Sequence, residues 1–274
     1  MDSYIIEWLN LVVRWIHVIT GIAWIGASFF FNWLDSQLTP PENPDKKVEG
    51  ELWMIHSGGF YQMEKTLISP SEMPKVLHWF KWEAYSTWIS GIFLLGIVYY
   101  TGSGVYLIDS QIADLSYGMA VSISMGSILV AWLIYDFLWA SSLGKRGWLP
   151  IIISLVLLFG IIWWFHQWFG SRAAYIHVGA VMGTLMVGNV WRRIIPSQTK
   201  LVEAVKAGKT PEASLGIKAK QRSIHNNYMT LPVVFIMISN HFPNTFAHQM
   251  NWMILIAIIV IGAIVRHFFN LKNK

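Results

Sequence analysis

His17 is the first residue of this sequence whose type and setting could do chemistry. It lies about one turn inside an apolar stretch that runs from Arg14 to Trp33. On a helix, the residues that share its face are small or aromatic: Gly21, Trp24 and Ser28. A flat ring could lie on such a face with its metal bound to His17. In the alternative interpretation the small residues admit a neighbouring helix and His17 hydrogen-bonds across a bundle. The stretch alone leaves both open.

A second histidine, His177, opens another apolar stretch in which small residues again share its helical face: Ala180, Thr184 and Gly188. Two histidines that face each other from different helices are what a six-coordinate haem in a helical bundle requires. Ionisable side chains inside a membrane are costly, which makes them functional candidates. The sequence therefore predicts haem b, as one group or two, with His17 and His177 as metal ligands. Gly21 and Trp24 are predicted to contact the haem as well. His166 and His241 are predicted as substitute ligands. Hydrogen bonding between helices remains the alternative.

The composition is that of a membrane protein that crosses the bilayer several times. Of its 274 residues 54% are hydrophobic and 13% are charged, and the length suits one membrane domain, residues 1–274. The chain has no cysteine, which excludes disulfides, Cys-ligated iron–sulfur clusters, thiol nucleophiles and covalent c-type haem attachment within it. Its net charge of +5 reflects orientation in the membrane, so we expect no nucleic-acid partner.

Apolar runs of about twenty residues predict an all-α transmembrane bundle with seven spans. The predicted spans are Leu9–Leu34, Ala84–Tyr100, Tyr117–Ala140, Trp148–Trp168, Ala173–Trp191, Asn226–Phe242 and Asn251–Phe269. Lysine and arginine concentrate in the first, third and fifth connections and at the C-terminus, and the second and sixth connections have none. By the positive-inside rule the N-terminus lies outside and the C-terminus inside.

Two connections on the predicted cytoplasmic side are more than short links. Residues 35–83 begin with the turn-rich stretch Thr39–Pro44 and continue with the aromatic and glycine-rich stretch His56–Tyr61. This pattern favours a segment that folds back onto the cytoplasmic face. Residues 196–225 form a basic connection, which indicates an amphipathic stretch at the surface near anionic lipid.

Polar residues concentrate where the sixth predicted span begins, with His225, Asn226 and Asn227 in a row. Pro232 follows within two turns, and because proline has no N–H it frees a backbone carbonyl one turn earlier. These groups could bind a polar ligand or a second metal centre. The alternative is a proline-kinked start of a helix that is capped by asparagine, and the residues alone do not choose between the two.

Several long motifs resemble the bacterial membrane-bound urate oxidase (urate hydroxylase) family. They are Arg14–Asp35, His56–Tyr61 with Glu64-Lys65, Trp79–Trp88, His177–Trp191 with Pro196-Ser-Gln198, and His225–Pro232 continuing through Ile238–Pro243. The likeness is to the N-terminal membrane domain of that family and covers essentially the whole chain. The spacing of His17, Trp24 and Gly26 also resembles the haem-binding first helix of membrane proteins related to protoporphyrinogen oxidase and copper-resistance proteins.

The resemblance implies a multi-pass oxidoreductase of the bacterial inner membrane that oxidises urate or a similar small molecule. It further implies that electrons pass through haem to a periplasmic c-type cytochrome or another respiratory acceptor. The family carries one more span and a cytochrome c domain, whereas this sequence ends at Lys274 and has no cysteine. We therefore expect the cytochrome to be a separate partner, to be replaced, or to be absent. The residues predicted to receive and convert the substrate are His56, His225, Asn226 and Asn227.

Two other functions stay open at this point. The first is a non-catalytic haem subunit that relays electrons or anchors a larger membrane complex. The second is a transporter, in which the kink at Pro232 would mark the permeation site. Against the transporter, the sequence has no internal repeat and no pair of interrupted helices. The oligomeric state is also open, with a homo-oligomer among the alternatives.

Overall fold

The structure is a computed structural model of the chain that describes residues 3–42, 48–66 and 73–272. Pro44 of the predicted turn and the predicted inside charges Lys46, Lys47 and Lys274 lie outside the described residues. The described chain is mostly helical.

The helices follow one another with short connections. They are α1 (Ser3–Gln37), α2 (Trp82–Leu95), α3 (Tyr117–Ala140), α4 (Leu149–Trp168), α5 (Ser171–Asn189), α6 (Ile195–Lys206), α7 (Ala213–Ser239), α8 (Pro243–Phe246) and α9 (Asn251–Lys272). Single π-helical turns continue α2 over Gly96–Tyr100 and α5 over Val190–Ile194. Short 3-10 turns lie at Gly102–Gly104 and Ser142–Lys145.

Each predicted span corresponds to one of the long helices, and the third agrees at both ends. Among the described residues, five helical segments are long and apolar enough to cross a membrane: α1, α3, α4, the continuous segment Ser171–Lys206, and α9 up to Leu271. The other two predicted spans fall on α2 and α7. Helix α2 has only 14 residues, and α7 begins at Ala213 instead of Asn226, so that its first turns are polar. The five apolar segments indicate a membrane protein.

Neighbouring helices alternate in direction. The ring of His17 in α1 lies against Gly91 in α2, and further along α1 the ring of Phe31 contacts Phe80 just before α2, which makes these two helices antiparallel. In the same way Trp139 at the end of α3 donates to Ser154 near the start of α4 at 2.9 Å. Helices α5, α7 and α9 alternate in direction as well, because the end of α5 contacts the first half of α7, which in turn contacts the end of α9.

Helix α5 is the centre of the bundle, because small residues let other helices approach it closely. A Cβ atom added at Gly188 would lie 2.0 Å from Nε1 of Trp132 in α3, and one added at Gly179 would lie 2.9 Å from Ile236 in α7. Most of the residues in the first half of α5 are buried. Helix α1 is the opposite case, since Leu34 is its only buried residue among those described. Such an exposed apolar helix is stable only in lipid.

Between α1 and α2 the chain forms a β-hairpin, which corrects the prediction of an all-α fold. Strands β1 (Val48–His56) and β2 (Gly59–Thr66) pair antiparallel, with His56 opposite Gly59. Ser57 and Gly58 form the turn with φ angles of 50° and 76°, the left-handed values of a tight hairpin turn. Trp53 is 57% exposed and Phe60 is 76% exposed, so these aromatic side chains of the hairpin do not pack on the bundle. The dipeptide Ser57-Gly58 was the turn signal that the sequence contained.

Candidate functional site

Buried and half-buried polar side chains from three helices meet at one end of the bundle. We call this set the α3–α5–α7 cluster. Two of its members come from the end of α3, two from the end of α5 and its π-helical turn, and three from the first half of α7: Tyr135, Asp136, Asn189, Arg193, Arg222, His225 and Asn226. We call this end of the bundle the basic end. The cluster also shows that α3 and α5 run parallel and that α7 runs against them.

Asp136 holds two arginines of this cluster. Nε and Nη2 of Arg193 lie 2.7 Å and 2.5 Å from its two carboxylate oxygens, a bidentate ion pair. Nη2 of Arg222 lies 3.3 Å from the oxygen that Arg193 Nε contacts, and Arg222 is almost completely buried. Nε of Arg192 also lies 4.0 Å from this carboxylate, which therefore faces three guanidinium groups. The cluster keeps an excess of positive charge, which favours an anionic ligand.

His225 is held by a phenol on the neighbouring helix. The hydroxyl of Tyr135 lies 2.7 Å from Nδ1 of His225 and accepts a hydrogen bond of 2.9 Å from Nδ2 of Asn189. With the hydroxyl as the donor to Nδ1, the neutral imidazole carries its proton on Nε2. The ring of Trp139 packs against His225 with 4.1 Å between centroids. The geometry leaves the Nε2–H of His225 as a donor for a ligand.

A cavity of about 1830 Å³ opens beside the cluster. Its walls are apolar residues from α3, α4, α5, α7 and α9, and its polar end is lined by Tyr135, Trp139, Arg192, Arg193, Arg222 and His225. Such a combination of apolar walls and a few convergent polar groups is typical of a ligand site. The cavity is far larger than one small planar molecule, so the polar end would fix the position of a ligand and the rest would provide access.

The structure separates the four residues predicted to be catalytic. His225 alone among them faces the cavity. Asn226 is buried behind His225, where Nδ2 donates to the carbonyl of Met186 at 3.0 Å and Oδ1 accepts from Asn189 at 2.9 Å. Asn227 points to α9, because successive helical residues differ by about 100° in direction. His56 lies exposed at the tip of the hairpin. None of these positions tests a catalytic role directly.

His17 hydrogen-bonds across to α2, as in the alternative interpretation, through one of its two ring nitrogens. Its Nδ1 lies 2.9 Å from the carbonyl of Thr87 and 3.1 Å from the hydroxyl of Ser90, both in α2. The contact with a carbonyl means that Nδ1 carries the proton, which leaves the lone pair on Nε2 available. A hydrogen bond from the other ring nitrogen to a backbone carbonyl is what ligating histidines have. Among the described residues nothing hydrogen-bonds Nε2.

His177 is placed differently from His17. It is fully buried in α5, its Nδ1 donates to the carbonyl of Ala173 at 2.7 Å, and its Nε2 accepts from the hydroxyl of Ser124 at 2.6 Å. Rings of Tyr99, Phe165 and Phe169 surround it. No described contact joins His17 to His177, which lie against different helices. Ligation of a haem iron by His177 requires that Ser124 turn away from Nε2.

A family model described as urate oxidase N-terminal matches residues 3–274. The chain belongs to this urate oxidase N-terminal family. The resemblance that the motifs indicated is thereby confirmed. No curated protein and no solved structure matches the chain.

The other four residues predicted to contact a cofactor in this family member lie in different settings. His166 donates from Nδ1 to the carbonyl of Ile162 at 2.7 Å, and its buried Nε2 has no hydrogen-bond partner in the described chain. His241 is exposed beyond the end of α7. Gly21 faces Thr87 of α2, and Trp24 packs beside Ala84 and Val187. These last two residues therefore serve the contact of α1 with its neighbours, as in the packing alternative. In the part of the chain that the structure describes, no three or more histidine, aspartate or glutamate residues form a metal-binding group.

Sequence reasoning missed most of the α3–α5–α7 cluster. Arg193 and Arg222 counted only as charges that orient the chain in the membrane, and Tyr135, Asp136 and Asn189 were not predicted as site residues. The signal was weak, because Asp136 lies 57 residues from Arg193 and 86 residues from Arg222 in the sequence. An acid inside an apolar helix, followed by arginines on two later helices, was the available clue.

Proposed function

We propose that this urate oxidase N-terminal family member binds urate, or a closely similar planar anion, at the polar end of the cavity and oxidises it. Membership of the family supports a urate-related function. The observation that carries the placement is that His225 lines the cavity together with Arg193 and Arg222, whose guanidinium groups share the carboxylate of Asp136. Urate is flat, anionic and rich in hydrogen-bonding groups, and these residues match each of those properties.

Each residue of the cluster has a distinct task in this proposal. Arg222 and Arg193 compensate the negative charge of the ligand, and His225 donates to it from Nε2. Tyr135 keeps His225 in the tautomer that makes this donation possible. Asn189 and Asn226 fix the positions of Tyr135 and of α7 relative to α5. Trp139 offers an aromatic face beside His225 on which a purine ring can stack.

The proposal includes haem b, which His17 would help to hold through its Nε2. The free Nε2 and the bond from Nδ1 to Thr87 support this assignment. The second ligand is either His177, after Ser124 releases it, or His166, whose Nε2 has no partner. A bound haem would supply a one-electron acceptor between the substrate and a c-type cytochrome or another respiratory acceptor.

We further propose seven membrane spans in the bacterial inner membrane, with the N-terminus outside and the basic end of the bundle in the cytoplasm. The alternation in direction of the seven long helices supports this count. The concentration of lysine and arginine in the connections on one side supports the orientation. Urate would then enter the polar end of the cavity from the cytoplasm.

Titration of the purified protein with urate tests the proposed site. We expect His225→Gln to weaken urate binding at least tenfold, because glutamine cannot accept from Tyr135 and donate to the ligand in the same geometry. His248→Gln is the matched control, since His248 is exposed beyond α8 at the other end of the bundle. Equal urate affinity of the wild type and His225→Gln would contradict the site. Low-spin haem bands that appear when urate is added without oxygen would support the oxidation.

Transport is a second candidate that one observation favours. Pro232 lines the same cavity, and its ring packs on Gly262 of α9, so the proline-containing part of α7 faces the space through which a ligand would move. Uptake of labelled urate into proteoliposomes without a change in haem spectrum would favour a transporter. Spectral reduction by urate without uptake favours the oxidoreductase.

A further inference from the structure

The basic end of the bundle contains a second buried arginine that no carboxylate compensates. Arg266 of α9 is 6% exposed, and its Nε donates to Oδ1 of Asn227 at 2.8 Å. Its guanidinium lies 4.3 Å from the ring of Phe29 in α1. Arg222, which is equally buried, has Asp136 as its counterion. Arg266 forms no ion pair with a carboxylate in the described chain. In the described chain its charge therefore faces an amide oxygen and an aromatic ring, without a carboxylate.

The neighbouring amide adds a donor that also lacks a partner. Oδ1 of Asn227 accepts from Arg266 and from Nδ2 of Asn270 at 3.0 Å, which fixes the orientation of the Asn227 amide. Its Nδ2 is then a buried donor without a hydrogen-bond partner among the described residues, in a side chain whose residue is 3% exposed. A buried donor that stays unpaired is rare in folded proteins. The unpaired donor of Asn227 and the uncompensated charge of Arg266 therefore lie side by side, at the contact of Asn227, Arg266 and Asn270.

We propose that this contact between α1, α7 and α9 binds the phosphate group of an anionic phospholipid. A phosphate offers several acceptor oxygens and a negative charge, which fit the fork of a guanidinium and an adjacent amide donor. The location selects a lipid as the source. Both α1 and α9 are apolar enough to cross a membrane, and Phe30, Phe31, Phe268 and Phe269 expose their rings close to the contact in sequence. Basic pockets between transmembrane helices at the cytoplasmic side bind anionic headgroups in this way.

The test compares thermal unfolding of the protein in nanodiscs of phosphatidylcholine with unfolding in nanodiscs that also contain phosphatidylglycerol. We expect the anionic lipid to raise the unfolding temperature of the wild type by about 2–4 °C. Asn227→Asp places a carboxylate beside Arg266 and should abolish this rise while preserving the fold. Arg266→Gln should abolish it as well. Arg146→Gln is the control, because it removes the same charge from an exposed position in the connection between α3 and α4.

Each outcome decides for or against the lipid site. Loss of the rise in Asn227→Asp but not in Arg146→Gln supports it, even if Arg266→Gln does not fold. A wild type that unfolds at the same temperature in both lipids overturns it, and so does an unchanged rise in Asn227→Asp. Inorganic phosphate added to phosphatidylcholine nanodiscs separates the two sources of phosphate. If inorganic phosphate alone raises the unfolding temperature, the site binds free phosphate and the lipid proposal is wrong. None of these unfolding measurements depends on urate binding, so a negative result for the lipid site does not contradict the proposed function.

Discussion

The hydroxyl of Tyr135 lies 2.7 Å from Nδ1 of His225, although the two residues are 90 positions apart in the sequence. This contact joins α3 to α7 and decides which nitrogen of the imidazole faces the cavity. We expect Tyr135→Phe to weaken urate binding about tenfold, equivalent to about 1.4 kcal/mol, because the tautomer of His225 is no longer fixed. Urate titration measures this. Tyr117→Phe, which also loses one phenol hydrogen bond, should leave urate affinity unchanged. Equal losses in both variants would argue against a specific role of Tyr135.

The ion pairs of Asp136 predict a large effect on stability. Asp136→Asn keeps the size of the side chain but removes the only carboxylate that pairs with Arg222 in the described chain. A buried charge that loses its partner costs about 3–5 kcal/mol. We expect the free energy of unfolding to fall by that amount in a detergent-based denaturation experiment. Asp114→Asn is the control, because Asp114 is exposed. A loss below about 1 kcal/mol, as for a surface ion pair, would contradict the burial of this cluster.

The packing of α3 on α5 predicts opposite results for two glycines of the same helix. Gly188→Ala would bring a Cβ atom to 2.0 Å from Nε1 of Trp132, whereas a Cβ at Gly183 meets nothing within 4 Å. Gly188→Ala should therefore destabilise the fold by about 1–3 kcal/mol. Gly183→Ala should leave stability unchanged or raise it by up to about 1 kcal/mol, because alanine favours a helix. Thermal unfolding of the two variants checks this. Equal stabilities would show that α3 and α5 are further apart than described.

The histidine contacts predict unequal effects on haem content. His17→Ala should abolish low-spin haem b in the purified protein, since the free Nε2 of His17 is proposed to bind the haem iron. Ser124→Ala should retain haem or raise its content, because it frees Nε2 of His177. The ratio of haem to protein in a reduced-minus-oxidised spectrum measures both. His78→Ala serves as the control at an exposed position. An unchanged spectrum in His17→Ala would remove His17 as a ligand.

The sequence by itself determined the helices and the family. A run of about twenty apolar residues has to bury its backbone polar groups in a helix when it lies in lipid, and this requirement depends on local composition alone. Each long helix was therefore found, and α3 was predicted at both ends. The family likewise follows from continuous motifs. The start of α7 was missed because hydropathy cannot distinguish a polar first turn of a helix from a loop.

Only the tertiary structure decided which polar residues meet. Asp136 with Arg222, and Tyr135 with His225, are pairs from helices far apart in the chain, and their contact depends on how α3, α5 and α7 pack. Packing also gave Asn226 and Asn227 partners on different helices, α5 and α9, although they are adjacent in the sequence. Composition predicts that a residue lies in a helix and how deep it lies in the membrane. The choice of its partner depends on rotation and contact between helices, where small residues such as Gly188 set the distance.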